Sequence, residues 1–111
     1  MTTDLNPDLD LAEQLLELLQ AYPQGCSEYE LIQQLKARHS THIPNLPLTD
    51  QLVLFRTHFL LFNALYRLRD QLWGEQRAHL QISALRTCLQ PYQAGNANLS
   101  EHDPLRDYYL D

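Results

Sequence analysis

The segment between Asp50 and Gly74 constrains the fold more than any other part of the chain. Taken as a helix at about 100° per residue, its apolar side chains cover well over half of the circumference. Leucines form one flank and aromatic residues the adjacent flank, while Arg56 and Arg67 lie on a narrow polar strip. A helix this apolar is expected to be central and largely buried. We therefore place a long third helix at about residues 50–73.

The composition also favours a helical chain. The 111 residues include 24 leucines but only three isoleucines and one valine. Leucine is a strong helix former, whereas strands favour β-branched side chains. An all-β domain is therefore nearly excluded. A single domain over residues 1–111 is long enough to bury a core without disulfides or metals.

Two further helices are predicted before the long one. The Asn-Pro pair at positions 6 and 7 suits an N-cap and a first helical residue, which indicates a helix at about residues 7–21. Ser27 and Glu30 fit a capping box, which starts a second helix at about residues 28–39. Together with the long helix, these two form a predicted three-helix core.

The pattern changes after Gly74. Polar and apolar residues alternate in two short runs, which predicts a β-hairpin at about residues 78–92. Residues 93–102 have the composition of a linker, and Asp103-Pro104 starts a short helix at about residues 104–110. The predicted class is therefore mostly α with a small β-hairpin (α+β). The element order is that of a winged-helix-like domain.

Charge is distributed unevenly along the chain, whose net charge is −6. Residues 1–30 sum to −7, residues 31–77 to +3 and residues 78–111 to −2. Either the acidic and basic parts complement each other within the domain, or the acidic face repels nucleic acid or attracts a basic partner. The single lysine argues against nucleic-acid binding, because phosphate contacts require lysine and arginine.

The sequence contains no recognisable export signal or membrane span. The N-terminus lacks a basic, apolar leader, and the most apolar stretch, residues 52–66, is shorter than the roughly 20 residues of a span. Cys26 and Cys88 are far apart in sequence, so reduced thiols are expected. These features predict a cytoplasmic protein that does not associate with membranes.

No motif for catalysis, cofactor binding or metal binding is apparent. The three glycines do not cluster into a phosphate-binding loop, and His39 and His42 have no nearby third ligand in the sequence. We therefore expect a protein that is not an enzyme and that binds no cofactor.

His58 falls inside the apolar arc of the long helix. It is either a core histidine bonded to backbone or to a carboxylate, or a polar contact for a partner or a pH-sensitive group. Phe59 and Phe62 lie on the same arc and are predicted core residues. The adjacent apolar residues at positions 108–110 are expected to dock on the domain or on a second protomer. The candidate partner contacts are Arg56, His58, Arg67, Tyr108, Tyr109 and Leu110.

Two segments resemble a known family. Residues 54–68, LFRTHFLLFNALYRL, resemble the central helix of the N-terminal domain of bacterial DnaJ-related proteins. Residues 103–111, DPLRDYYLD, resemble the segment that closes this domain. The resemblance implies a J-domain C-terminal to this region, which would recruit an Hsp70-type chaperone. No J-domain is expected here, because His102-Asp103-Pro104 has the residues of the His-Pro-Asp signature in another order and is better explained as a helix start.

The resemblance implies a non-enzymatic accessory domain of a DnaJ-related co-chaperone. Such a domain would bind a client or partner protein, or would join two copies as a homodimer, alongside a J-domain that acts on the Hsp70-type chaperone. The alternative is an acidic winged-helix regulatory domain that contacts DNA or a transcription partner.

Overall fold

The computed structural model describes residues 4–93 and 103–110. Four helices and one antiparallel hairpin form a mostly helical α+β fold with a long central helix, which confirms the predicted class. In chain order the elements are α1 (Leu11–Ala21), α2 (Glu28–Ala37), α3 (Gln51–Gly74), β1 (His79–Gln81), β2 (Cys88–Gln90) and α4 (Pro104–Leu110). Apart from Gln93, the predicted linker at residues 93–102 lies outside the described residues.

Helix α1 begins at Leu11, so the predicted start at position 7 is wrong. The Asn6 side chain instead closes a turn by accepting the Asp8 N–H at 3.0 Å. Asp10 then acts as the N-cap: its carboxylate accepts the Glu13 N–H at 2.8 Å, and the Glu13 carboxylate accepts the Asp10 N–H at 3.3 Å. This reciprocal capping box satisfies two exposed backbone donors, so it fixes the helix start at the later position.

Helix α2 starts where the capping-box pattern predicts. The Glu30 N–H donates to Ser27 Oγ at 3.1 Å, and the Ser27 N–H donates to the Glu30 carboxylate at 3.0 Å. These bonds to Ser27 also lower the pKa of Glu30. The helix ends at Ala37, two residues before the predicted end, because His39 adopts a left-handed φ of 57° that a helix cannot continue through.

Helix α3 is capped by Asp50 and packs its leucine flank against α1. Leu61, Leu65 and Leu68 are fully buried at this contact. The expectation that the whole helix is largely buried is nevertheless wrong, because Leu52, Leu54 and Phe55 are exposed. Helix α1 has 11 residues and spans about 16 Å, whereas α3 has 24 residues and spans about 36 Å. The shorter helices therefore cannot cover the first turns of α3.

The hairpin packs on α3 through Leu80 of β1, which is fully buried. Strands β1 and β2 pair antiparallel, with Leu80 opposite Leu89. Each strand has three residues, so the paired part is shorter than the predicted range of 78–92. The Thr87 hydroxyl donates to the Ser83 carbonyl at 3.0 Å and closes the connecting loop, which leaves fewer residues free to pair.

The turn between α1 and α2 pairs with the same hairpin. Cys26 and Thr87 exchange two backbone hydrogen bonds of 2.9 and 2.7 Å. Gly25 precedes this bridge with φ of 95°, and a Cβ there would lie 2.9 Å from the Thr87 carbonyl oxygen. Glycine is therefore required at this position. Cys26 and Cys88 are buried free thiols, and burial raises the pKa of Cys26.

No helix among residues 4–93 and 103–110 has the length and apolarity needed to cross a membrane.

The first prediction is that Phe62 of α3 contributes far more to the free energy of unfolding than Phe55 of the same helix. Phe62 is 6% exposed and belongs to the core, as predicted, whereas Phe59 is only half-buried. Replacing Phe62 with alanine is expected to lower the free energy of unfolding by about 3–5 kcal/mol, because it removes a ring and leaves a cavity. The matched control is Phe55→Ala, which changes an exposed ring on the same helix and should cost about 0.5 kcal/mol or less. Urea denaturation of both variants measures the difference, and equal losses would contradict this core.

A second prediction concerns His79, whose Nδ1 accepts the Trp73 indole N–H at 3.0 Å. Burial lowers the pKa of His79, so the unfolded chain binds a proton more readily than the folded one. The stability contributed by neutral His79 is therefore complete above its unfolded pKa of about 6.5 and falls as the pH drops toward the folded value, by at most about 1.4 kcal/mol per pH unit.

Replacing His79 with asparagine keeps an acceptor for the indole but removes the titration. We expect the loss of unfolding free energy between about pH 7 and pH 5 to be smaller in His79→Asn than in the unmodified chain. Urea denaturation across this range checks the effect. Parallel pH profiles for the two proteins would show that His79 does not contribute.

Candidate functional site

The structure brings only some of the predicted partner contacts together. Arg56, His58 and Arg67 lie on α3, and the other three residues lie on α4. His58 and Tyr109 meet where α4 packs on α3, whereas Arg56 lines an exposed groove on α3 and Arg67 lines a neighbouring pocket.

The start of α4 is held to α3 by two ion pairs. The Asp103 carboxylate accepts the Leu105 and Arg106 N–H groups at 3.0 and 3.3 Å, so it caps α4 as the helix-start interpretation requires. The same side chain lies 3.0 Å from Arg69 Nη2. Arg106 binds Asp70 through two nitrogens, with the shortest contact at 2.7 Å, and this hydrogen bond raises the pKa of Arg106. Such a two-point contact fixes orientation as well as distance.

Arg69 is a buried cation within this contact. Its guanidinium carbon lies 4.7 Å from the centre of the Tyr66 ring and 4.5 Å from that of Trp73. The electron-rich ring faces favour the positive charge, and the Asp103 carboxylate balances it. Arg69 therefore stabilises the docked position of α4.

The end of α4 is held by a chain of three polar side chains. His58 Nδ1 lies 2.5 Å from Glu28 Oε2 of α2, and His58 Nε2 lies 2.6 Å from the Tyr109 hydroxyl. Burial raises the pKa of Tyr109. The two ring nitrogens of His58 join Glu28 of α2 to Tyr109 of α4. Of the interpretations considered for His58, bonding to a carboxylate matches this geometry.

Tyr109 is 8% exposed and packs within the domain. Its ring centre lies 5.3 Å from that of Phe62 and 5.7 Å from that of Tyr66, and its carbonyl accepts the Asn63 amide at 2.7 Å. Leu110 is also partly buried against the core. Tyr108 alone of the three apolar residues is mainly exposed, with its ring edge toward Phe59 at 5.9 Å. The segment thus docks on its own chain.

Beyond the end of α4, the exposed part of α3 forms an apolar groove. We call this feature the α3 groove; it is about 430 Å³ in volume and is lined by Phe55, Arg56, Phe59, Leu60 and Asn63. Phe55 is 56% and Leu60 37% exposed, and the Arg56 side chain is also exposed. The groove is open and nearly free of polar surface, so it suits the apolar face of another molecule.

Arg67 lies one turn beyond Asn63 on α3. It is exposed, and its Nε donates to Asn63 Oδ1 at 3.0 Å. Residues 51–67 contain Arg56 and Arg67 but no acidic residue. Arg56 is the charged side chain that lines the α3 groove, whereas Arg67 lines the neighbouring pocket together with Asp10.

The sequence interpretation missed Phe55 and Phe59 as groove residues because it assigned the aromatic flank of α3 to a largely buried surface, and it placed Leu60 beside the polar strip without expecting a groove there. The available signal was the polar strip: Arg56, Asn63 and Arg67 recur at helical spacing, and Leu60 lies beside them. A strip of this kind marks the solvent-facing side of a helix. An apolar residue beside it, such as Leu60, was therefore a candidate for exposure.

The polar side chains of the α3–α4 contact are paired with one another. The raised pKa of Tyr109 keeps its phenol weakly nucleophilic at neutral pH. The groove itself is lined by apolar side chains, one amide and one guanidinium. Within residues 4–93 and 103–110, no three His, Cys, Asp or Glu side chains are grouped so that they could hold a metal ion.

The described residues form a mostly helical α+β domain in which the C-terminal helix α4 docks on the long central helix α3. A family model described as DNA-J related protein matches residues 9–111. The chain therefore belongs to the DNA-J related protein family. No curated protein and no solved structure matches the chain.

The hydrogen bond between His58 and Tyr109 leads to a third prediction. Because one side chain donates to the other, His58→Ala and Tyr109→Phe should show a coupling energy of about 0.5–1.5 kcal/mol in a double-mutant cycle. Tyr108→Phe combined with His58→Ala is the matched control and should show no coupling. Urea denaturation of the variants supplies the values. A coupling of zero for Tyr109 would mean that the hydroxyl does not hold α4.

Proposed function

We propose that this chain is a non-enzymatic accessory domain of DNA-J related proteins that binds a partner or client protein through the α3 groove. The observation that carries the proposal is the exposure of Phe55 and Leu60 on the central helix of an otherwise well-buried core. An exposed apolar surface with a polar rim is typical of a protein-binding site.

The surroundings of the groove support binding to protein rather than to nucleic acid. Arg56 of the groove and Arg67 of the neighbouring pocket are far fewer than the phosphate contacts that give useful affinity for a duplex. Asp10 of the acidic α1 region lies beside Arg67 in a neighbouring shallow pocket and would oppose a phosphate backbone. Aromatic and leucine side chains with a nearby arginine suit an interface with a protein.

This domain and a J-domain would have separate roles. The resemblance implies that the J-domain recruits an Hsp70-type chaperone through its His-Pro-Asp signature. In this chain the related residues occur in another order, and Asp103 caps α4 and pairs with Arg69. The domain would then supply the contact with a partner or client. A cytoplasmic location stays a prediction from the sequence.

Site-specific photocross-linking in living cells provides the test and the fourth prediction. A photoreactive phenylalanine analogue is placed at position 55 or 60 of the full-length protein, and at Leu85 as a control. Leu85 is exposed and apolar but lies in the hairpin loop, outside the groove. We expect the same protein adduct from positions 55 and 60 and not from position 85. No adduct at the groove, or identical adducts at all three positions, would contradict the proposal.

A further inference from the structure

The α3 groove also indicates the chemistry of its occupant, and this inference rests on the proposed function. We propose that the groove binds an amphipathic helix of another protein, with an aromatic or leucine anchor on its apolar face and carboxylates beside that face. Three observations support this. They are the docking of α4 on the same helix face, the charge of Arg56 on α3, and the burial of Leu15, Leu18 and Tyr109 within their own domain.

Helix α4 is an internal example of what this face of α3 binds. Tyr109 packs on Phe59, Phe62 and Tyr66, which recur along one face of α3. Phe55 continues this row by one further turn, beyond the last residue of α4. The face that holds one short helix is therefore continuous with the uncovered α3 groove.

The orientation of α4 shows how a helix fits on this face. Its first residues lie beside Arg69 and Asp70, and its last residues lie beside His58 and Asn63. Helix α4 therefore runs antiparallel to α3. A second helix on the groove would meet the same rows of side chains, at the spacing that suits an apolar helix face.

Charge indicates carboxylates on the occupant. At the covered end of α3, the cation Arg69 is balanced by Asp103 of α4. At the uncovered end of α3, Arg56 lines the α3 groove. No carboxylate of residues 4–93 or 103–110 forms an ion pair with it. An acidic residue on an incoming helix would therefore meet a free guanidinium, the best donor for a carboxylate.

The acidic groups nearest to the groove are already engaged or lie at its margin. Asp50 accepts backbone N–H groups at the start of α3, and Glu28 contacts His58. Asp10 caps α1 and faces Arg67 across the neighbouring pocket. None of these carboxylates contacts Arg56, so its charge remains available to a partner.

A second copy of this chain fits the groove poorly. Leu15 and Leu18 of α1 and Tyr109 of α4 are already buried in their own domain, and the apolar side chains of α4 that remain exposed are Leu105 and Tyr108. Pairing groove against groove would bring two Arg56 side chains together, and each chain has a net charge of −6. Like charges across an interface suppress such a contact.

The experiment selects ligands from a displayed library of helical peptides. The peptides have leucine or phenylalanine at i, i+4 and i+7, and their other positions encode Glu, Lys, Gln and Ala equally. Selection uses the full chain with α4 in place, and peptides that also bind Phe55→Glu or Leu60→Glu are discarded. Both substituted positions are exposed, and unchanged melting temperatures confirm that the two variants remain folded.

We expect the groove-dependent peptides to be enriched in glutamate and depleted in lysine. Arg56→Glu should weaken their binding by about five-fold or more, because an attraction becomes a repulsion, while Arg56→Lys should retain most of it. Binding should also weaken as salt rises. Fluorescence polarisation of labelled synthetic peptides measures these changes.

Three results would overturn the inference. One is groove-dependent peptides that are rich in lysine or show no charge preference. Another is the recovery of no peptide whose binding depends on Phe55 or Leu60. The third is a dimer in light scattering that Phe55→Glu dissociates, because the occupant would then be a second copy. If the cross-links at positions 55 and 60 still form in any of these cases, the partner chemistry is wrong and the proposed binding function stands.

Discussion

The packing of the leucine flank of α3 against α1 is the contact on which the rest of the fold depends. Helices of 10 or 11 residues such as α2 and α1 are marginal alone, so α1 gains its stability from the apolar surface of α3, and α2 packs on α1 in turn. The hairpin attaches to the same helix through Leu80, and α4 attaches through Tyr109. Because all of these elements are short, they cover α3 unevenly. The exposed groove is thus a consequence of the difference in helix length.

Elements defined by local side-chain chemistry could be predicted well from the sequence. The capping box of Ser27 and Glu30 fixes the start of α2, and Asp50 fixes the start of α3, because a cap acts over two or three residues. At the start of α1 the sequence predicted Asn6 as the cap, whereas Asp10 is the cap in the structure, and both are residue types that cap helices. Local chemistry does not choose between them.

The choice at α1 depends on contacts with distant parts of the chain. The Leu5 N–H donates to the Arg38 carbonyl at 3.1 Å, and the Leu5 side chain is buried. The Gln14 amide donates to the Asn6 carbonyl at 3.1 Å. These bonds hold Leu5 and Asn6 against other parts of the chain, and a turn follows at residues 7–9, so this segment does not begin the helix.

The candidate site shows the same limit. Helical spacing placed Arg56, His58 and Arg67 on α3 correctly, since that spacing is local. It could not reveal that His58 meets Glu28, 30 residues before it, or Tyr109, 51 residues after it. It also could not show where α4 ends along α3, and this decides which aromatic residues are buried and which remain exposed.

The segregation of charge along the sequence has a physical use that differs from simple neutralisation. One interpretation was that the acidic first third complements the basic middle. In the described residues, however, Arg69 pairs with Asp103, and Asp70 pairs with Arg106, so the ion pairs of α3 are made with α4. Among the titratable side chains of the described residues, the first third bonds to α3 through Glu28 and His58.

Most acidic side chains of the first third are consequently exposed, as Glu13 and Glu17 of α1 show. The acid nearest to the α3 groove on this side is Asp10, which lines a pocket that shares Leu60 and Asn63 with the groove. If the proposed partner helix binds there, its acidic residues are attracted to Arg56 and repelled by Asp10. The uneven charge of the chain would then favour one orientation of that helix over the other.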